Sequence, residues 1–308
     1  MSVGQGLDRG LVVASHGRHV MVETPEGRQL ICHPRGKKNQ AVVGDRVLWL
    51  ATGDEGSIEK VEERRNLFYR QDEIRTKSFA ANLDQVLILI AAEPEFSESQ
   101  LARALVAAEA EGITPLIALN KSDLVEAHAR AWARLGPYRR MGYAVLPLNL
   151  RAAGSPAELI TLQAQLRDKA TLVLGPSGAG KSTLINRLVP GAQAQTGEIS
   201  TALNSGKHTT TSTRWYWVDG RRQTALIDSP GFQEFGLQHI EAARLAGLMP
   251  DLRAHMGACR FYNCSHLHEP GCGVIAAVDQ TADGQGISPS RYRIYSELHT
   301  ELSQAPRY

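Results

Sequence analysis

The sequence predicts a multidomain α/β protein: a small N-terminal β-barrel, a mostly parallel sheet wrapped by helices, and a helical C-terminal region built around cysteines. Three observations carry this. Short alternating apolar runs, broken by turn clusters, fill the first 76 residues. From residue 80, near-continuous apolar runs alternate with helical patterns. Three of the four cysteines fall between residues 259 and 272.

In the first region the spacing predicts strands at Leu11–Ala14, His19–Glu23, Gln29–Cys32, Arg46–Leu50 and Ser57–Val61. Turn clusters such as Pro25-Glu26-Gly27 separate them. Five short strands in residues 1–76 suggest a closed barrel of the OB type. Such barrels often take oligonucleotides, but the architecture alone does not establish that use.

Gln85–Ala91 reads as a strand buried on both faces. A helix over 97–111 follows, then strands at Thr114–Leu119 and Tyr143–Leu148. Ser155, Pro156 and Glu158 mark the start of a helix running to Arg167. Ala170–Leu174 and Ala225–Ile227 are further strands, so residues 80–235 form a doubly wound domain. Residues 236–308 read as helices around the Cys/His cluster.

Composition excludes little. With 43% hydrophobic and 21% charged residues and a net charge of +2, the chain is ordinary globular protein. No block is basic enough to indicate nucleic-acid binding by charge alone. No run of 18 apolar residues occurs, so no membrane contact is expected, and the N-terminus lacks the pattern of an export signal. A cytoplasmic protein is expected, in which clustered cysteines suggest metal before disulfide.

Gly175-Pro176-Ser177-Gly178-Ala179-Gly180-Lys181-Ser182-Thr183 fits the phosphate-loop pattern, with a buried strand before it and an amphipathic helix after it. The glycines let backbone N–H groups converge on phosphate oxygens at a helix N-terminus. Lys181 would reach the β- and γ-phosphates, and the Ser182 hydroxyl would ligate Mg²⁺. Asn120-Lys121-Ser122-Asp123, after an apolar strand, is the N-K-x-D pattern that selects guanine. The Asp123 carboxylate would accept from N1–H and the 2-amino group, whereas adenine would leave it buried and unpaired. Asn120 would touch the base edge and tie neighbouring loops together, and the Lys121 stem would pack along the base.

Asp228-Ser229-Pro230-Gly231 supplies the D-x-x-G of a GTPase: Asp228 for Mg²⁺ through water, the Gly231 N–H for the γ-phosphate. Between these motifs, Gly206–Thr213 is a polar loop where a switch threonine is expected among Thr209, Thr210 and Thr211. Motif order is permuted, because N-K-x-D stands at 120 and the phosphate loop at 175. A circularly permuted GTPase domain keeps its strands adjacent while moving its termini. Phe232 occupies the place where Ras-like enzymes carry the glutamine that positions water, which predicts slow intrinsic hydrolysis, with His208 the nearest substitute.

Cys259, Cys264, His266 and Cys272 make up a four-ligand set suited to one structural zinc, with His268 as the competing imidazole. Together the permuted order, the barrel and this cluster resemble the bacterial ribosome-small-subunit-dependent GTPases, the RsgA/YjeQ family. Val43-Gly44-Asp45, Asn82–Gln85, Asn120–Asp123, Gly175–Thr183, His208–Thr211, Asp228–Gly231, Phe235–Leu237 and the cysteine cluster carry the match. Leu148-Asn149 departs from it, since relatives tend to have Ser-Ala there. The resemblance implies an OB barrel, a permuted GTPase domain and a zinc-binding C-terminal domain. It also implies GTP, GDP and Mg²⁺ as ligands, and small-subunit rRNA bound through the barrel and the C-terminal domain. A monomer with weak GTPase activity, stimulated by that subunit during its late maturation, is expected. Two other readings remain: a GTP-gated metal-handling protein, and a nucleotide-dependent RNA-binding module without useful turnover.

Overall fold

The computed structural model describes residues 6–304 apart from 18, 36–39, 73–74, 152–155, 190, 193–211, 232–234 and 281–285. The first five strands are β1 (Asp8–His16), β2 (His19–Glu23), β3 (Gln29–Pro34), β4 (Arg46–Thr52) and β5 (Glu55–Val61). They pair in the ring β1-β2-β3-β5-β4-β1, with β3 and β5 parallel and every other pair antiparallel. That ring is a closed barrel with the strand order of an OB fold. Alternate residues of β2 to β5 point inward, so Val20, Val22, Leu30, Cys32, Val47, Trp49 and Ile58 fill the interior with Val12 of β1. The strands match the predicted ones but extend further, chiefly at β1.

The hairpin β6 (Leu67–Gln71) and β7 (Thr76–Ala81) was not anticipated from the sequence. Its aromatic residues do not line the barrel. Phe68 and Phe79 pack into the core of the next domain. Asp45, fully buried, receives two hydrogen bonds from Arg64, at 2.7 and 2.8 Å, and one from the Val42 N–H. Asn82 Nδ2 donates to the Gly44 carbonyl, and the Ala81 N–H to the Val43 carbonyl. These bonds moor the barrel to the chain that leads into the second sheet.

That sheet runs β10-β9-β8-β11-β13-β12, where β8 is Gln85–Ala91, β9 Thr114–Asn120, β10 Ala144–Pro147, β11 Ala170–Leu174, β12 Arg214–Trp217 and β13 Ala225–Asp228. Its first five strands are parallel and β12 is antiparallel at the edge. All seven residues of β8 are buried, as a central strand between two helical layers requires. Helices α1 (Glu98–Ala110), α2 (Val125–Arg134) and α3 (Gly136–Arg140) flank β8, β9 and β10. Helices α4 (Pro156–Leu166) and α5 (Lys181–Leu188) contribute Leu162, Leu166, Leu184, Ile185 and Leu188 to the core on the other face. β12 also meets β1 through the pair Ala14 and Arg214, so barrel and sheet form one continuous ribbon.

Beyond Phe235 the chain forms short helices α6 (Ala242–Leu245), α7 (Pro250–Arg253) and α8 (Gly273–Ala277), then the long α9 (Pro289–Ser303). Phe235 is buried, stacked on Phe79 at 6.1 Å and 5.8 Å from Phe68. Arg103 of α1 donates to the Phe235 carbonyl and pairs with Glu301 of α9. Arg291 of α9, also buried, grips Asp251 with two hydrogen bonds of 2.9 and 3.0 Å. No helix among the described residues is long and apolar enough to cross a membrane.

Candidate functional site

The phosphate loop leaves β11 at Leu174 and enters α5 at Lys181. Its first glycine is dictated by space: a Cβ on Gly175 would lie 2.2 Å from the Leu89 carbonyl oxygen. Its last is dictated by conformation as well. Gly180 has φ +106°, and a Cβ there would meet Asn120 Nδ2 at 2.6 Å. The Lys181 ammonium lies buried inside the loop and donates to the Gly175 and Pro176 carbonyls at 2.8 and 2.9 Å. Burial lowers its pKa to about 8, against the opposing pull of Asp228. A nucleotide's phosphates would exchange those carbonyls for anionic oxygens and favour the charged lysine.

Asn120, at the end of β9 and buried, joins two stretches of sequence that lie far from it in the chain. Its Nδ2 donates to the Ala179 carbonyl at 2.9 Å across 59 residues, and its Oδ1 accepts from the Leu150 N–H at 3.1 Å. The N-K-x-D turn therefore abuts the phosphate loop in space. Lys121 takes φ +68°, and its ammonium donates to the Glu93 carbonyl. The Ser122 N–H donates to the Leu148 carbonyl, and its hydroxyl to Glu158 Oε1 at 3.2 Å. Leu148 is buried and Leu148-Asn149 does lie beside this turn, although the side chains differ from the expected Ser-Ala. Asp123 is exposed, and its side chain makes no hydrogen bond among the described residues.

Asp228 ends β13 next to the phosphate loop. Its Oδ1 is buried with no hydrogen-bond partner among the described residues, and burial raises its pKa to about 6 despite Lys181 nearby. A buried carboxylate oxygen left unpaired in this position suits a divalent cation, so the donor set of Ser182 and Asp228 fits Mg²⁺. Gly231 lies against the loop: a Cβ on it would sit 3.2 Å from Lys181 Nζ and 3.4 Å from the Ser177 nitrogen. Ser229 donates to the Val173 carbonyl at 2.7 Å, which locks the turn between them. His208, Thr209, Thr210, Thr211 and Phe232 lie outside the described residues.

The second candidate site lies in the C-terminal region. Ligand atoms of Cys259, Cys264, His266 and Cys272 all lie within 4.8 Å of one another. Cys259 Sγ and Cys272 Sγ are 3.8 Å apart, and each is 3.4 Å from His266 Nδ1. A tetrahedron with zinc–sulfur bonds of about 2.3 Å separates its sulfurs by roughly 3.8 Å, so the group fits zinc. His268 is not part of it, and the cysteines are free of disulfides. Sequence reasoning missed Glu269. Its carboxylate accepts from the Ser265 N–H and hydroxyl and from the Leu267 and His268 N–H groups, shaping the loop that presents His266. The signal was available in a lone acid inside a Cys/His cluster. Glu158, read from the sequence only as a helix-start residue, likewise supports Ser122.

Comparison with known proteins agrees with this geometry. The RsgA GTPase family model matches residues 61–238. A small ribosomal subunit biogenesis GTPase RsgA from Variovorax paradoxus is 72% identical over 299 residues, covering 97% of this chain and 94% of the relative. One from Paraburkholderia xenovorans is 51% identical over 303 residues, with 97% and 94% covered. Among solved structures, YloQ, described as a circularly permuted GTPase, superposes with a TM-score of 0.70 at 27% identity, each chain covered in full. YjeQ from Thermotoga maritima gives 0.72 at 28% identity, covering 96% of this chain and 98% of that one. With a closed five-stranded barrel ahead of a permuted phosphate-loop sheet, and a cysteine–histidine cluster behind it, this chain belongs to the RsgA GTPase family.

Proposed function

We propose that this chain hydrolyses GTP to GDP and phosphate while bound to the small ribosomal subunit, late in that subunit's maturation. The observation that carries the reading is the Asn120–Ala179 hydrogen bond, which joins a guanine-selecting turn to a phosphate loop lying after it in sequence. The names of relatives that match over nearly the whole chain support the ribosomal part.

In this reading Asp123 accepts from guanine N1–H and the 2-amino group, while Asn120 and Ser122 hold the base loop and Lys121 covers the base. Residues Gly175 to Gly180 wrap the phosphates with their N–H groups, Thr183 follows in the first turn of α5, and Lys181 bridges to the γ-phosphate. Mg²⁺, when bound, would be held by Ser182, by Asp228 through water and by one of Thr209, Thr210 and Thr211, and would neutralise the phosphate charge. The Gly231 N–H contacts the γ-phosphate, and His208 orders water in place of the glutamine that Phe232 replaces. Cys259, Cys264, His266 and Cys272 hold one structural zinc, since a closed four-ligand shell leaves no coordination position for cargo or chemistry. The three domains are the barrel of β1–β5, the sheet domain running to residue 235 together with hairpin β6–β7, and residues 236–308, with the boundary expected at residue 76 drawn ahead of the hairpin. The first and last bind rRNA, and the protein acts as a cytoplasmic monomer.

Turnover measured with and without purified small subunits tests the reading. We expect stimulation of about tenfold or more, because positioning is most of what the protein contributes to phosphoryl transfer. His208→Ala should remove most of that gain and leave GTP binding intact. Absence of stimulation of the wild-type chain would overturn the ribosomal reading. Full stimulation of the His208 variant would discard only the role of that residue.

A further inference from the structure

An open cleft of about 490 Å³ separates the barrel from the sheet domain. It borders Ala170 and Ala225, which begin β11 and β13, so it lies at the opposite end of the sheet from the nucleotide site. Its size falls within the range of ligand pockets. Arg9 and Arg46 of the barrel, Arg65 of the connection, Arg222 of the β12–β13 turn, and Trp215 and Trp217 of β12 stand on its walls.

The two indoles meet edge to face, 5.2 Å apart at 70°. Trp217 is fixed, since its Nε1 donates to Glu23 Oε1 at 2.8 Å. Trp215 is not: its Nε1 is buried without a partner among the described residues. An unpaired buried N–H costs about 1–3 kcal/mol, which an acceptor on a ligand would recover. Three of the arginines already pair with carboxylates, Arg9 with Glu62 at 3.5 Å, Arg65 with Asp84 at 2.9 Å and Arg222 with Glu23 at 3.6 Å. The first two arginine side chains are 78% and 61% exposed, and such pairs are exchanged for a phosphate at little cost. Arg46 is exposed, and its side chain has no hydrogen bond or ion pair among the described residues.

We propose that this cleft binds a single-stranded segment of RNA, its phosphates on Arg46 and Arg9 and a base against the Trp215–Trp217 pair. Guanidiniums on the rim and indoles within are the combination that single strands use, with base stacking contributing about 1–3 kcal/mol per base. An acidic peptide would satisfy the arginines but would leave the indole surface without a flat partner. The proposal deepens the rRNA-binding reading and rests on it.

The test uses the full chain, a fluorescein-labelled single-stranded oligouridine of about eight nucleotides, and purified small subunits. Arg46→Ala should weaken oligouridine binding about fivefold or more and lower the slope of log affinity against log salt by about one. Trp215→Phe keeps a ring and removes the N–H, and should weaken binding about threefold. Turnover without subunits should be unchanged in both variants. If both variants bind oligouridine and small subunits as the wild type does, while subunits still stimulate turnover, the cleft is overturned and the ribosomal reading stands. A polyglutamate peptide that binds the wild type more tightly than oligouridine, and is lost in Arg46→Ala, also overturns it. Failure of subunits to bind or stimulate the wild type overturns the ribosomal reading, and the cleft as an rRNA site with it.

Discussion

The Asp123 carboxylate stands exposed three residues beyond β9, on a turn that Asn120 and Ser122 hold from both sides. Because the turn is fixed by those neighbours, Asp123→Asn should leave the fold intact and change only the base contact. We expect GTP and GDP affinity to fall by about tenfold or more and preference to move toward xanthine nucleotides, read by nucleotide titration. Asp228 carries the opposite balance. Its pKa is raised by burial to about 6, so the nucleotide-free fold disfavours the ionised form by roughly 3 kcal/mol. The contribution to stability is therefore fullest below pH 4, where the carboxyl is neutral in both states, and is lost as pH rises through 6. Asp228→Asn should raise the melting temperature of the nucleotide-free protein by a few degrees at pH 7, show no such gain near pH 4, and abolish turnover. A variant less stable than the wild type at pH 7 would remove the burial argument.

At the scale of elements, the joint between barrel and sheet depends on a short stretch of chain. Asp45 is fully buried, and Arg64, the Val42 N–H and the neighbouring Gly44–Asn82 bond converge there. Removing one partner of a buried pair leaves the other uncompensated and costs about 3–5 kcal/mol. Part of that is relieved here, because the Arg64 side chain keeps 28% exposure and can rehydrate. Asp45→Ala should therefore cost about 2–3 kcal/mol in denaturant unfolding of the barrel, with GTP binding less affected. The motif Val43-Gly44-Asp45 was legible in the sequence only through resemblance, since no local rule marks an aspartate as buried. Hairpin β6–β7 was likewise illegible. Its alternation resembles that of any barrel strand, and only packing of Phe68 and Phe79 against Phe235 assigns it to the second domain.

For the molecule as a whole, Arg103 and Phe235 connect the end of the D-x-x-G segment to α9, and Tyr292 and Tyr295 of α9 donate to the His266 and Ser265 carbonyls. The C-terminal region is thus tied to the chain at Phe235, and its stability should depend on metal. The wild type should hold about one zinc equivalent, and Cys264→Ser should lose it and destabilise this region selectively, since metal-binding energy there would be folding energy. Elemental analysis together with hydrogen exchange over α8 and α9 checks this. Retention of zinc in the variant, or normal protection without it, would discard the structural role.

The phosphate loop, the N-K-x-D turn, the D-x-x-G turn and the clustered cysteines with a neighbouring histidine were readable from the sequence. Each is a short run whose chemistry depends on residue types at fixed spacing, and the permuted order followed from their positions alone. The strands β8, β9, β11 and β13 were equally plain, because central parallel strands are apolar without interruption. Tertiary structure decided the rest: that Asn120 binds the loop carrying Ala179, that His266 and not His268 faces the sulfurs, and that Trp215 has no partner for its indole nitrogen among the described residues. These depend on contacts between residues remote in sequence, and on which groups are shielded from water, and no local pattern in a chain encodes either.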